Sequence, residues 1–234
     1  VFFIYFMIWI IFILYILYSL KCIWEQRKYN LHATIQKLPT LNKAELHNQL
    51  VEKQPIVIQN VECMKQLSHD ILVRENPGYI VIDQGKHVLL STLTDPKVET
   101  VNVYRNQKLC ADSGVQSCLE PMIQAFSDKL SWYTKYDLSA WKGPTVTTLS
   151  HSIHNNTLLY QIQGKSTVYL INPKHTEEIQ TTSIKKLSHK ITLEPNQLLW
   201  IPPQWFYSQE SSEPLLQACI TSDTYFTWWY NAWR

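Results

Sequence analysis

TLSHSIHNNTLLYQIQGKSTVYLINP, residues 148 to 173, decides the fold of this chain once it is set beside a later stretch, ITLEPNQLLWIPPQWFYSQE, residues 191 to 210. Both alternate apolar and polar residues at a period of two, and both are bounded by Pro, Gly or Asn. That pattern predicts β-strands of one sheet system. One His, His151, stands at the start of the first stretch, with His154 three residues on.

Around these segments the 234-residue chain has room for one hydrophobic segment and one main globular domain. Its 21 Lys and Arg against 19 Asp and Glu leave a formal charge of +2, with no basic run to track a phosphate backbone. Nucleic acid is therefore not an expected partner. The five cysteines, Cys22, Cys63, Cys110, Cys118 and Cys219, are odd in number, scattered and without a CxxC pair. Reduced thiols are expected rather than a disulfide framework or a zinc ribbon.

At the N-terminal side, residues 1 to 20, VFFIYFMIWIIFILYILYSL, carry no charged side chain. As a helix they would extend about 30 Å, the thickness of a bilayer core. A transmembrane helix is expected there, in contact with lipid. A signal peptide is the rival, but the run lacks a basic n-region and a small-residue cleavage site. Lys21, Arg27 and Lys28 follow at once. By the positive-inside rule they place the globular part on the cytosolic or an equivalent face, as a single-pass membrane protein. Residues 21 to 34 read as a polar connector and 35 to 234 as the domain.

Between the connector and the deciding stretch, Asn42 precedes Ala44 and Glu45 as an N-cap would, predicting a helix over Lys43 to Glu52 and a strand over Pro55 to Val61. A second helical pattern has apolar residues at Met64, Leu67, Ile71 and Leu72. NPGYIVID and KHVLLSTL read as short strands, and Leu119, Met122, Ile123, Phe126 and Leu130 as one helix face. Helices ahead of a strand-rich half predict an α+β domain built on a barrel or jelly roll.

The run WKGPTVTTLSHSIHNNTLLYQIQGKSTVYLINP, from Trp141, resembles the first metal-binding strand pair of the JmjC and cupin-like 2-oxoglutarate oxygenases. LEPNQLLWIPPQWFYSQES is similar to their second signature, QPIVIQNV to their entry strand, and the closing YFTWWYNAW to their final aromatic strand. The resemblance covers about residues 36 to 234. It implies a double-stranded β-helix, with flanking N-terminal helices, behind the membrane helix.

In such enzymes a His, an Asp two residues later and a distant His hold Fe(II), leaving positions for 2-oxoglutarate and oxygen. By resemblance His151 takes the first ligand position, and Gln161 and Gly164 fix the register. The Asp position is then Ile153 and the second His position Tyr207. An alkyl group cannot ligate a metal, and a phenol with a reference pKa near 10 is a poor ferrous ligand. Among the oxoglutarate positions Thr148 matches, whereas the Lys position is Ser166, with Lys165 displaced by one, and the Asn position is Thr157. The family's P-G-D turn is Pro195-Asn196-Gln197. Thr148, Thr157, Lys165 and Ser166 are what would remain of a pocket.

No other His, Cys, Asp or Glu spacing matches a ligand set, so His154, His175 and His189 are expected at surfaces or strand edges. His151 is read as a buried, hydrogen-bonded histidine in preference to a metal ligand. Asn155-Asn156-Thr157 matches a glycosylation sequon but falls within a predicted strand. The aromatic residues Trp132, Tyr133, Tyr136, Trp141, Trp228, Trp229, Tyr230 and Trp233 read as barrel core and membrane-proximal rim, or as a recognition surface.

The expectation is thus a catalytically inactive, JmjC-like domain on a membrane anchor, with no cofactor, serving other protein subunits of an assembly. A minor capsid or inner-membrane protein of a large virus and an accessory subunit of a membrane complex both fit. The alternative is an active Fe(II)/2-oxoglutarate-dependent protein hydroxylase with a rearranged site around His151. A third possibility is a barrel that keeps a small ligand against Thr148, His151 and Tyr207.

Overall fold

A computed structural model describes residues 2–30, 34–61, 67–83, 85–126 and 131–232. In chain order the first half contains α1 (Phe2–Arg27), β1 (Gln36–Leu38), α2 (Lys43–Glu52), β2 (Ile56–Ile58) and α3 (His69–Glu75). There follow β3 (Ile80–Asp83), β4 (Lys86–Leu89), β5 (Val101–Asn106), α4 (Gln107–Asp112) and α5 (Val115–Phe126). The second half contains β6 (Ser131–Lys142), β7 (Thr145–Val146), β8 (Ser150–His151), β9 (Asn156–Gln163), β10 (Ser166–Ile171) and α6 (Ile184–Leu187). It closes with β11 (His189–Leu193), β12 (Leu198–Ile201), β13 (Phe206–Ser211), β14 (Leu215–Thr224) and α7 (Tyr225–Ala232). The fold is mixed α+β.

The strands of the two deciding stretches divide between two sheets. A seven-stranded sheet has the order β1-β2-β12-β9-β14-β6-β5, and a second sheet runs β11-β10-β13-β7 with β8 added beside β13. Side chains alternate across each strand, which gives the larger sheet two apolar faces. On one face Leu158, Tyr160, Leu198, Trp200, Leu216, Ala218 and Ile220 pack with Leu46 of α2, Leu72 of α3 and Leu119 of α5. The opposite face presents Val57, Leu159, Leu199, Ile201 and Cys219 to Val168, Leu170, Ile191, Leu193 and Tyr207 of the smaller sheet. Helices, large sheet and small sheet therefore form three layers over two cores. Each fully buried Leu or Ile stabilises the fold by roughly 1.5–3 kcal/mol.

α2 spans the residues expected of it, with the Asn42 side chain accepting from the Ala44 N–H at 3.1 Å. α5 buries Leu119, Met122, Ile123 and Phe126 on one stripe, while Leu130 lies outside the described residues. α3 begins later than its apolar pattern suggests, because Ser68 caps it by accepting from the Ile71 N–H; Met64 lies outside the described residues. β5 and α4 were not anticipated.

The closing YFTWWYNAW is not a strand over its described residues. The last strand is β14, LLQACITSDT, and the aromatic residues after it form α7. Thr224 ends the strand and starts the helix, its Oγ1 accepting from the Thr227 N–H at 3.3 Å, which satisfies a donor the first helical turn leaves open. Trp233 lies outside the described residues.

α1 does not stop at Leu20 but continues through Arg27. It is long and apolar enough to cross a membrane, and from Tyr5 to Leu17 every residue is exposed. Its C-terminal end is docked. Gln26 is buried and donates from Nε2 to the Ile153 carbonyl at 2.6 Å. Arg27 donates to the Tyr230 hydroxyl of α7.

Candidate functional site

The strand frame around His151 separates the three positions that the resemblance aligns with metal ligands. β8 pairs antiparallel with β13, His151 opposite Phe206 and Ser150 opposite Tyr207. Neighbouring residues on a strand point to opposite faces, so His151 shares a face with Phe206 and Tyr207 takes the other. The His151 and Phe206 rings stack with centroids 4.4 Å apart and 11° between their planes. Tyr207 turns into the core between the sheets. Ile153 is half-buried, and its carbonyl accepts from Gln26 and, at 3.0 Å, from Asn231 of α7. It sits where the end of α1 meets α7. Ferrous iron does not fit this arrangement: one ring faces away, one side chain is alkyl, and the third is a phenol already engaged.

Tyr207 is engaged by Arg105, which sequence reasoning did not single out. Arg105 donates from Nη2 to the Tyr207 hydroxyl, and its guanidinium carbon lies 5.9 Å from the Tyr207 ring centroid. The pairing of β5 with β6 shifts register between Val103 and Asn106, and Arg105 adopts φ 47. Such bulges re-aim a side chain, here toward Tyr207. Burial pushes the Tyr207 phenol well above its ordinary pKa although Arg105 pulls the other way. It is a neutral phenol accepting from a permanent cation. Burial likewise pushes the Cys219 thiol up. VNVYRN alternates as a strand should, and that was the signal available for Arg105.

The interior beside this pair is polar. β6 and β14 place Asp137 opposite Cys219 and Lys135 opposite Thr221. Lys135 Nζ meets Asp137 Oδ2 at 2.9 Å. Asp137 Oδ1, Trp141 Nε1, Trp205 Nε1, Gln209 Nε2 and Thr221 Oγ1 are buried without a hydrogen-bond partner in the protein.

The positions aligned with oxoglutarate contacts disperse. Thr148 is exposed. Thr157 is buried and shares a 2.9 Å hydrogen bond with the Ser152 hydroxyl. Ser166 is buried and donates to Gln161 Oε1 at 3.0 Å. Lys165 is exposed and bonds Glu194 at 2.9 Å. Lys165 and Ser166 line a cavity of about 460 Å³, with Glu213 and Thr145 among its other lining residues.

His154, His175 and His189 each have a neighbour in the fold. His154 Nδ1 lies 2.5 Å from Asp223, which is fully buried at the end of β14 and also accepts from the Asn155 N–H. His175 pairs with Glu178 at 3.1 Å, and His189 lies beside Trp205. Among the described residues no three His, Cys, Asp or Glu side chains come together as a metal site would need. Cys22, Cys110 and Cys219 are free thiols, with burial pushing Cys110 up to about 12. Cys118 is disulfide-bonded, which corrects the expectation of reduced thiols at that position.

No protein-family model matches the chain, and no curated protein sequence does either.

Proposed function

We propose that this chain is a membrane-anchored, non-catalytic domain of the double-stranded β-helix type, related to the JmjC and cupin-like oxygenases, which acts as a structural or interaction subunit of a membrane-associated assembly. A large-virus minor capsid or inner-membrane protein and an accessory subunit of a membrane complex are the settings proposed for it. The fold proposal is supported by the way the chain passes between the two sheets, β9 in one, β10 and β11 in the other, then β12, β13 and β14 alternating between them. The functional proposal rests on Arg105. A guanidinium hydrogen-bonded to Tyr207 puts a fixed cation where a reactive metal centre would need ligands, and nothing about a scaffold requires otherwise.

The test is reconstitution of the full chain in detergent, without oxygen, with Fe(II) and 2-oxoglutarate. Iron well below stoichiometric and no succinate above a protein-free blank are expected. Stoichiometric iron with uncoupled succinate on admitting oxygen would overturn the proposal and favour the hydroxylase. The Ile153→Asp/Tyr207→His variant is expected to stay iron-poor as well, because His151 still pairs with Phe206 and faces away.

A second proposal, a small polar ligand held between the sheets, is favoured by the unpartnered Asp137, Trp141, Gln209 and Thr221 atoms. Native mass spectrometry of the intact chain checks it through a retained mass that is lost on denaturation. The side of the membrane is also a proposal, with opposed signals. Lys21, Arg27 and Lys28 favour the cytosolic or equivalent face, whereas the Cys118 disulfide favours an oxidising compartment.

A further inference from the structure

We infer that α7 and the first residues of β6 form a second membrane contact, seated in the headgroup region of the bilayer that α1 crosses, so that the domain lies against the membrane and does not stand off on a tether. The inference rests on the reading of α1 as a membrane span.

The first observation is depth. Phe226 at the start of α7 packs against Tyr15 and Tyr18 of α1, with ring centroids 5.4 and 5.3 Å away. Those tyrosines lie six and three residues before Lys21, the first charge after the apolar run. At 1.5 Å per residue Phe226 therefore sits about 5–9 Å to the apolar side of that charge. An interfacial helix buries its apolar face to a similar depth, roughly 5–10 Å. Four residues on, Tyr230 meets Arg27 on the charged flank, so α7 runs from the apolar side toward the water side.

The second observation is the surface that α7 presents. Its sequence, YFTWWYNA, has no charged residue. Thr227 is its buried residue and faces the protein. Trp229, two residues on and so about 200° around the helix, faces away, and it is 54% exposed. On one flank Tyr225 packs edge-on against Trp132 at 5.5 Å, and Trp228 lies 6.5 Å from Tyr133. Trp132 is itself 67% exposed. Rings on this patch thus connect through Tyr225 and Phe226 to the membrane helix itself. Trp and Tyr concentrate where one end of a ring can be apolar and the other wet, which is the membrane–water interface.

The full chain, carrying 5-fluorotryptophan and placed in phosphatidylcholine nanodiscs, tests this by ¹⁹F NMR, each line assigned by a single Trp→Phe substitution. With a nitroxide on the lipid headgroup, the Trp132 and Trp229 lines are expected to lose most of their intensity. With the nitroxide deep in the acyl chain, Trp9 should lose its own. Trp141 and Trp205, buried in the domain, should keep theirs with both. Trp9 broadened while Trp132 and Trp229 stay sharp overturns the second contact and leaves the anchor standing. Trp9 unaffected by either label overturns both. Trp132 and Trp229 lines that ignore the lipid labels but shift when two chains share a disc overturn it in favour of a second copy.

Discussion

Arg105 adopts a left-handed backbone conformation, φ 47, that costs a non-glycine residue about 1 kcal/mol or more. The conformation is held from both sides, by the Arg105 N–H donating to Ser139 Oγ at 3.0 Å and by the guanidinium on Tyr207. Tyr207→Phe removes the acceptor but not the cation. We predict a loss of about 1–3 kcal/mol in urea unfolding of the purified chain, and an unchanged stability would show that Arg105 is indifferent to its partner. His69 offers a pH prediction. It is buried, and Nε2 lies 3.1 Å from the Leu215 carbonyl. Burial lowers its pKa below the ordinary 6.5, against the Leu215 bond and Asp70 and with Lys142. The unfolded chain then binds a proton near pH 6.5 that the folded one resists. This contribution to stability is complete above 6.5 and shrinks as pH falls below it, levelling off under the folded pKa. Thermal unfolding should show that slope in the wild type and a flatter one in His69→Gln; equal slopes would reject it.

At the level of elements, the turn between β9 and β10 is the most constrained. Gly164 has φ +73, and a Cβ there would lie 2.1 Å from the Pro214 carbonyl oxygen. Gln161 Nε2 donates to the carbonyls of Gln163 and Gly164, both at 2.9 Å. Gly164→Ala is expected to lower the unfolding free energy by more than the ~1 kcal/mol of an ordinary glycine replacement, and to cost more than Gly85→Ala, which also has positive φ but nothing within 4 Å of a Cβ. Equal losses would place the cost in backbone conformation alone. This turn was readable in advance because a strand period bounded by a Gly is a local fact, whereas the Gln three residues before it was placed by the resemblance. α2 was readable for the same reason, through its Asn42 cap. α7 was not, because YFTWWYNA has the ring content of a strand and its helix depends on Thr224 and on packing against α1. Arg105 was hidden by the register shift in β5, which re-aims a side chain by an amount no alternation pattern records. His151 shows the same limit: its frame was visible, but the face it takes is set by pairing with Phe206, 55 residues away in sequence.

For the whole molecule, two sheets share one core and the helices cover the second, with the end of α1 and α7 meeting at the Ile153 carbonyl through Gln26 and Asn231. Cys118 carries a prediction at this scale. Membranes solubilised in denaturant with a thiol-blocking maleimide should yield a Cys118 peptide that takes label only after reduction, whereas Cys110 and Cys219 take it at once. A Cys118 labelled without reductant would remove the argument for an oxidising compartment. The docking of Arg27 on Tyr230 also has a consequence in time. The two residues are 203 positions apart, and at a synthesis rate of about 5–20 residues per second the second emerges roughly 10 to 40 s after the first. α1 is made first and its α7 partner last. Until Tyr230 is made, the end of α1 is held to the rest of the domain without α7, through contacts such as that of Gln26 with the Ile153 carbonyl, and a nascent or C-terminally clipped chain lacks the α7 half of that docking.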